Sequence, residues 1–444
     1  MSSSSISTPE PVKPAMKTAT DLVRHYAVSE ALYRGTALAA NLMLISIVAT
    51  EKRFGAEGVL ISAFIQLSIS GLLEIPTGRF ADRKGWYRSV QLGLGLKIVT
   101  TLSYVAAVLA VRFSNASLAW ACIAFEAIVD SFANAFINGA YQAGYAHWYE
   151  HHLEKAGIAR DGAPPLFLSS FRYGLLVRLS LPVSALLLGT LLFRLFHGAG
   201  NGFLVYLGLL ALILALRLVV IVRTRADLQP LAALQRRDGG GAASPTLAEV
   251  VGTRFDSMLL YAFGTFISVA CGFYLYGETY RSLAGLAPNL SVLWLGGTLI
   301  GFLLHVSSII VSRAVVGWTE ASADGPVRRV LPALVGVAAL ASVSLLHGTS
   351  SNLTHLLTLF FFSLTAMTAG AFIQAWVKSH DLPALKPAIR ATWFSVAEVI
   401  ALIAFGVLSG LSLASGIPRA GMWVLLIAVG LGGLGLSIRG PAAR

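Results

Sequence analysis

The sequence predicts an all-α integral membrane protein, with twelve transmembrane helices in two pseudo-symmetric bundles of six. Three observations carry that expectation. Charged residues are 12% of the 444 and hydrophobic ones 56%, with a mean hydropathy of +0.74, whereas a soluble domain carries about 25% charge. Apolar runs of the length a helix needs to cross a bilayer recur along the whole chain. The longest hydrophilic connector, 223–256, leaves six such runs on each side of it.

The expected spans are 30–50, 57–77, 90–111, 117–146, 168–193, 201–222, 257–277, 290–312, 328–347, 353–377, 387–411 and 417–438. The opening "MSSSSISTPEPVKPAMKTAT" is rich in Ser, Thr and Pro and belongs to a disordered tail over 1–25. It shows no cleavable signal peptide. The first bundle occupies 26–222. The connector 223–256 contains "RRDGGGAASP", which reads as a flexible Gly-rich linker. The second bundle occupies 257–438, and 439–444 forms a second tail. Span 4 is longer than a bilayer requires and is expected to run on into the cytoplasm.

The net charge of +12 points to topology rather than nucleic acid, because membrane proteins keep Lys and Arg on the cytoplasmic side. Most of the 33 Lys and Arg fall on one side when both tails and the even-numbered loops are placed there. Lys52, Arg53, Arg112, Arg194, Arg281 and Arg419 fall on the other. Both termini are therefore expected in the cytoplasm, with the protein in a bacterial inner membrane. Cys122 and Cys271 lie in apolar stretches and form neither a disulfide framework nor a metal motif.

The two halves echo each other. "FINGAYQAGYAHWYEHH" ends span 4 and "AMTAGAFIQAWVKSH" ends span 10; each precedes a Ser/Arg/aromatic segment, "SSFRYG" and "IRATWFS". Duplicated transporter halves leave weak internal symmetry of this kind.

Between spans 2 and 3, "LLEIPTGRFADRKGWYRSV" packs Arg79, Asp82, Arg83, Lys84 and Arg88 into ten residues. The cations serve orientation. An acid adds nothing to orientation, so Asp82 reads as a latch that pairs with helix ends of the other half in one state and is solvated in another. Gly78 and Gly85 are expected to permit the tight turn. Gly78, Asp82, Arg83 and Gly85 fit Gly-x-x-x-Asp-Arg-x-Gly, and this loop resembles that of the major facilitator superfamily. "IRATWFSVAE" at the start of span 11 is similar to an Arg-Ala-Thr-x-x-Ser pattern also found there. Trp86 and Tyr87 stand where members usually carry basic residues, and the matching loop of the second half, "SRAVVGWTE", keeps only Arg313 and Gly317-Trp318. Span 5 lacks the Gly-Pro motif of many antiporters. The resemblance implies alternating access, with spans 3, 6, 9 and 12 supporting a central cavity from outside.

Ionisable groups at mid-bilayer cost about 2.5–3.5 kcal/mol on insertion scales, so each needs a reason. Glu126, Asp130, Asn134, Asn138 and Gln142 follow at four-residue steps in span 4 and make a slowly winding polar stripe. Glu126 and Asp130 bracket the bilayer centre, at roughly 13 and 20 Å from the outer surface. Arg178 in span 5, Glu398 in span 11, Gln66 in span 2 and Asn41 in span 1 lie near the same depth. Lys97 and Arg217 are close enough to the cytoplasm to snorkel. Glu126, Asp130 and Arg178 read either as a structural ion pair fixing spans 4 and 5, or as a substrate or proton site. In the second reading, two acids facing one Arg leave a carboxylate free to exchange a proton. Glu398 does the same in the second half or pairs with Arg178. Tyr261, Tyr274 and Tyr276 are candidate walls, and His305 a candidate titrating group.

"HWYEH", His147 to His151, matches the H-x-x-E-H zinc-hydrolase pattern, with only Glu154 nearby as a further ligand. "GLGGLG", Gly430 to Gly435, has a nucleotide-loop spacing but follows no strand and reads as a helix-packing surface. The expected function is secondary active transport of a small solute, coupled to protons, by a monomer that is not an enzyme and needs no cofactor or metal. Its partners are the solute, protons and lipids, and not nucleic acid. The alternatives are a lipid or lysolipid translocase on the same scaffold and a membrane zinc hydrolase using His147, Glu150 and His151.

Overall fold

Lipid offers a backbone no hydrogen-bond partner, so an apolar chain there must satisfy its N–H and C=O groups internally. The computed structural model describes residues 12–50, 55–113, 115–170, 202–239, 246–270, 325–348, 351–386, 389–415 and 420–438. Every regular element among them is helical. Six segments are long and apolar enough to cross a membrane: Trp86–Arg112, Ala116–Lys155, Leu204–Gln235, Val330–His347, Asn352–Ala384 and Arg390–Leu408.

Before the connector stand α1 (Val12–Thr50), α2 (Gly55–Lys84), α3 (Trp86–Arg112), α4 (Ala116–Ile137), α5 (Ala140–Lys155) and α6 (Gly202–Leu228). The expected disordered tail is helical from Val12 onward. Its apolar side explains why: Ala19, Val23 and Tyr26 are buried, and the Tyr26 ring meets Tyr145 and Phe167 at 5.2 and 5.3 Å. Span 4, expected as one helix, is broken at Asn138 and Gly139. Gly139 has φ 66°, a conformation that disfavours any side chain, and a Cβ there would lie 2.8 Å from the Ala391 carbonyl oxygen.

The connector is helical on both sides of 240–245, which lie outside the described residues. α6 runs on to Leu228 and is followed by a 3-10 turn at Gln229–Leu231, then α7 (Ala232–Gly239) and α8 (Leu247–Gly252). Gln235 accepts from the Trp86 backbone N–H at 2.9 Å, which ties α7 to the Gly85 turn. A capping box of Thr246 and Glu249 starts α8.

After the connector come α9 (Phe255–Ala270), α10 (Gly325–His347), α11 (Asn352–His380), α12 (Arg390–Ser415) and α13 (Ala420–Ile438). Expected span 8 and most of span 5 lie outside the described residues. α3 packs on α4 and α6, α10 on α13, and α9 on α11 and α12. "GLGGLG" is indeed a packing surface: a Cβ on Gly433 would strike the Pro332 carbonyl, and one on Gly336 would lie 2.9 Å from the Gly430 carbonyl oxygen.

α2 also packs on α12, across the connector. The two helices run antiparallel with a steady register. Gly71 lies opposite Leu402, Gly78 opposite Ser395 and Thr392, and Asp82 opposite Thr392 and Ala391. Gly78 is thus inside α2 and not in the turn expected of it. Its role is close approach, since a Cβ there would lie 2.5 Å from Ser395 Oγ and 3.0 Å from Thr392 Cα. Gly85, with φ 107°, does make the turn into α3.

Candidate functional site

Three polar arrangements lie within this frame. The first is packed between α2, α3, α4 and α6. Asp130 accepts from Lys97 Nζ at 2.5 Å, from Asn134 Nδ2 at 2.9 Å and from Gln66 Nε2. Glu126 accepts from the Tyr104 hydroxyl at 2.6 Å. Arg217 donates to the Lys97 carbonyl and to the hydroxyls of Thr100 and Thr101, at 2.8 and 2.6 Å. Glu126, Asp130, Lys97 and Arg217 are all at most 5% exposed. Two acids and two bases balance, as buried charge requires.

This corrects two expectations. Lys97 and Arg217 do not snorkel; Lys97 turns inward to Asp130, and Arg217 to a carbonyl and two hydroxyls of α3. Neither Glu126 nor Asp130 is left without a partner, so the free carboxylate expected there is not found. Arg178, expected to face them, lies outside the described residues, as do the Asn41 side chain, Tyr274, Tyr276 and His305. Gln66 and Asn134 are only partly buried and form the accessible margin of the cluster. Beside it, Tyr33, Thr36, Ala37, Leu94, Lys97, Arg217 and Val220 line a small cavity, with room for about one water.

The second arrangement lies on the α2–α12 contact. Glu74, fully buried, accepts from Asn138 Nδ2 at 2.9 Å through Oε1. Its carboxyl meets that of Glu398 on α12. The Tyr261 hydroxyl of α9 reaches Glu398 Oε1 at 3.5 Å. Lys378 of α11, 4% exposed, lies over the rings of Tyr261 and Phe394 at 5.5 and 5.9 Å and is the main positive influence on Glu398. Arg34 of α1 adds to that field. It is paired with Glu30 at 3.0 Å, with 47% of its side chain exposed. Sequence reasoning singled out Glu398 and Tyr261 but missed Glu74, Lys378 and Glu30. The signal for Glu74 was present: Gly71, Glu74, Gly78 and Asp82 follow at helical three- and four-residue steps on one face.

The third is a set of ties at the end of α2 that carries Arg79, Arg83 and Lys84, with Arg88 just beyond it on α3; this is the basic end. Asp82 Oδ2 accepts from the backbone N–H and the hydroxyl of Thr392 at 2.9 and 2.7 Å, and Oδ1 from the Ala391 N–H at 3.3 Å. A carboxylate on the first turn of α12 satisfies N–H groups that the helix cannot and matches its dipole. Glu150 of α5 binds Arg390 at 3.0 Å and also Arg160. Ser379 Oγ accepts from the Leu168 N–H at 2.9 Å. Arg83 is exposed beside these ties.

Glu150 is therefore held by two guanidinium groups and does not join His147 and His151 in a zinc site. His147 lies against Trp86, with ring centroids 5.3 Å apart. Among the described residues no three His, Cys, Asp or Glu side chains gather as metal ligands.

No family model and no curated relative matches this sequence. Solved structures do. A crystal structure of a bacterial homologue of the iron transporter ferroportin, in an outward-facing state with soaked iron, is 16% identical. It covers 94% of this chain and 97% of its own, with a TM-score of 0.60. A second structure of a bacterial ferroportin homologue, also outward-facing, is 15% identical over 95% of this chain and 97% of its own, with a TM-score of 0.57. The chain has the fold of these membrane proteins along nearly its whole length. With its six long apolar segments, it is an integral membrane protein.

Proposed function

We propose that the protein is a secondary active transporter that moves a small solute by alternating access. Its two bundles are 26–222 and 257–438, joined by 223–256, and the basic end faces the cytoplasm. The observation that carries this reading is the asymmetry of the α2–α12 contact. At the basic end Asp82, Glu150 and Ser379 tie the two sides of the chain together, while Arg34 stands half exposed farther in. That is the arrangement of a carrier closed on one side, and the two bacterial ferroportin homologues with this fold described above are outward-facing.

In this reading Asp82, with Gly78 and Gly85 shaping its surroundings, is the gate, and its cap on α12 must break for the basic end to open. Gln66, Asn134 and Arg34 offer polar contacts to the solute, with Asp130 and Glu126 held behind them by Lys97 and Tyr104. Glu398 handles the coupled proton. Iron is the cargo named for the structural neighbours. No set of three metal ligands gathers among the described residues, so the proposal stops at a small solute, and ferrous iron is one of the cargoes to assay.

The test is reconstitution. Purified protein in proteoliposomes, with candidate solutes chosen by thermal shift, should accumulate a solute under an imposed pH gradient. Asp82→Asn should slow that uptake several-fold, since an amide cannot accept at both oxygens from the α12 N-terminus. Absence of gradient-driven movement of every stabilising solute would remove the transporter reading.

A further inference from the structure

We propose that Glu74 and Glu398 together form one proton-binding site, and that the proton they share holds α2 against α12. The coupling role of this site rests on the transporter reading above; the site itself rests on geometry.

The antiparallel register puts the two carboxyls at the same level of the contact. Gly78, where a Cβ would lie 2.5 Å from Ser395 Oγ, and Gly71, where one would lie 3.6 Å from Leu402 Cβ, flank them and let the helices approach. Glu74 Oε1 has a donor in Asn138, but Oε2 is buried without one. The Ser395 hydroxyl stands beside that carboxyl as well. Two carboxylates in contact repel, and a bare buried carboxylate oxygen is costly. A single proton between the two removes both penalties.

The charges around the pair fit one proton and no more. Lys378 of α11 and Arg34 of α1 face Glu398, and Arg34 already carries Glu30. α9 contributes the neutral Tyr261, and the α4–α5 corner the neutral Asn138. Lys97 of α3 is bound to Asp130, Glu249 of α8 is taken up in its capping box, and α13 has no titratable side chain. The protonated pair holds one negative charge, which Lys378 balances. Loss of the proton to water puts a second negative charge into the same contact. The relief is separation of α2 from α12, which draws Asp82 off the α12 N-terminus. A proton that binds the closed form more tightly must, by linkage, favour that form. The basic end is therefore closed at low pH and opens as pH rises.

Spin labels at Arg79→Cys and Lys386→Cys, both exposed positions, in a chain with Cys122 and Cys271 replaced, read the α2–α12 separation in lipid nanodiscs. The label distance should lengthen as pH is raised. Glu74→Gln and Glu398→Gln, whose amides stay neutral, should each lose that shift and keep the short distance throughout. If both keep the wild-type shift, the site is wrong. Infrared spectra of the unlabelled protein give a second measurement. A carboxylic C=O band present at low pH should fade as pH rises and be missing from either variant that folds. Absence of that band from the wild type would also overturn the proposal. Neither readout involves a solute. A pH shift that behaves as described in a protein that transports nothing would remove the transporter reading alone. Gradient-driven transport with both variants still shifting would remove the site alone.

Discussion

The α3–α6 and α10–α13 contacts are built from opposite chemistry. α6 is stitched to α3 by Arg217, which binds a carbonyl and two threonine hydroxyls, while Lys97 of the same α3 turn reaches Asp130 on α4. α13 meets α10 through Gly336, Gly430 and Gly433, where the backbones approach closely beside Leu340 and Leu434. The helix ends, by contrast, are alike. Trp148 and His152 on α5 and Trp376 and His380 on α11 make the same local contact. In each, His Nδ1 lies against the Trp carbonyl oxygen, at 2.8 and 3.0 Å. The two helix ends agree, and the two helix contacts differ. Without a hydrophobic driving force between helices in lipid, adhesion comes either from hydrogen bonds or from close backbone packing, and this chain uses both.

That contrast can be broken most severely from the charged side. Asp130→Ala leaves Lys97 buried without its acid and should cost about 3–5 kcal/mol, the loss seen when one partner of a buried pair is removed. Unfolding in mixed micelles measures it, and adding Lys97→Met should recover much of the loss. A double variant no more stable than Asp130→Ala would mean the pair is not the unit holding α3 to α4. On the apolar side, Gly433→Ala forces a methyl group onto the Pro332 carbonyl and should cost about 1–3 kcal/mol by overpacking; an unchanged midpoint in the same assay would show that α10 and α13 are free to move apart. The smallest effect belongs to the exposed Asp21–Arg24 pair, 3.4 Å apart and more than half exposed on both sides. Asp21→Asn should change stability by less than about 0.5 kcal/mol, and a larger loss would mean that charge matters beyond the buried clusters.

Much of the fold was legible in the residues. Apolar runs placed the described helices within a few residues at most of their ends, and the "GLGGLG" surface and the pairing of Asp82 with a helix end were visible as patterns. The break at Asn138–Gly139 was not. It depends on the Ala391 carbonyl, more than two hundred residues away, occupying the space a side chain would need. The start of α1 was missed because its polar composition resembles a tail, and only the Tyr145 and Phe167 rings give its apolar face something to cover. In the polar centre, the four-residue stripe correctly put Glu126, Asp130 and Asn134 on one side of a helix. It could not say which cation would meet them.

Helicity, membrane insertion and the buried side of each helix are set by hydropathy and by the backbone's need for internal hydrogen bonds, both local properties that the sequence alone determined. The identity of each charge's partner was decided only by the tertiary structure. Lys97 rather than an exposed position for its ammonium, and Glu74 against Glu398 rather than either acid alone, follow from which helices lie side by side. A helical period names a face, but electrostatic attraction and repulsion act across space, and only packing says what lies opposite.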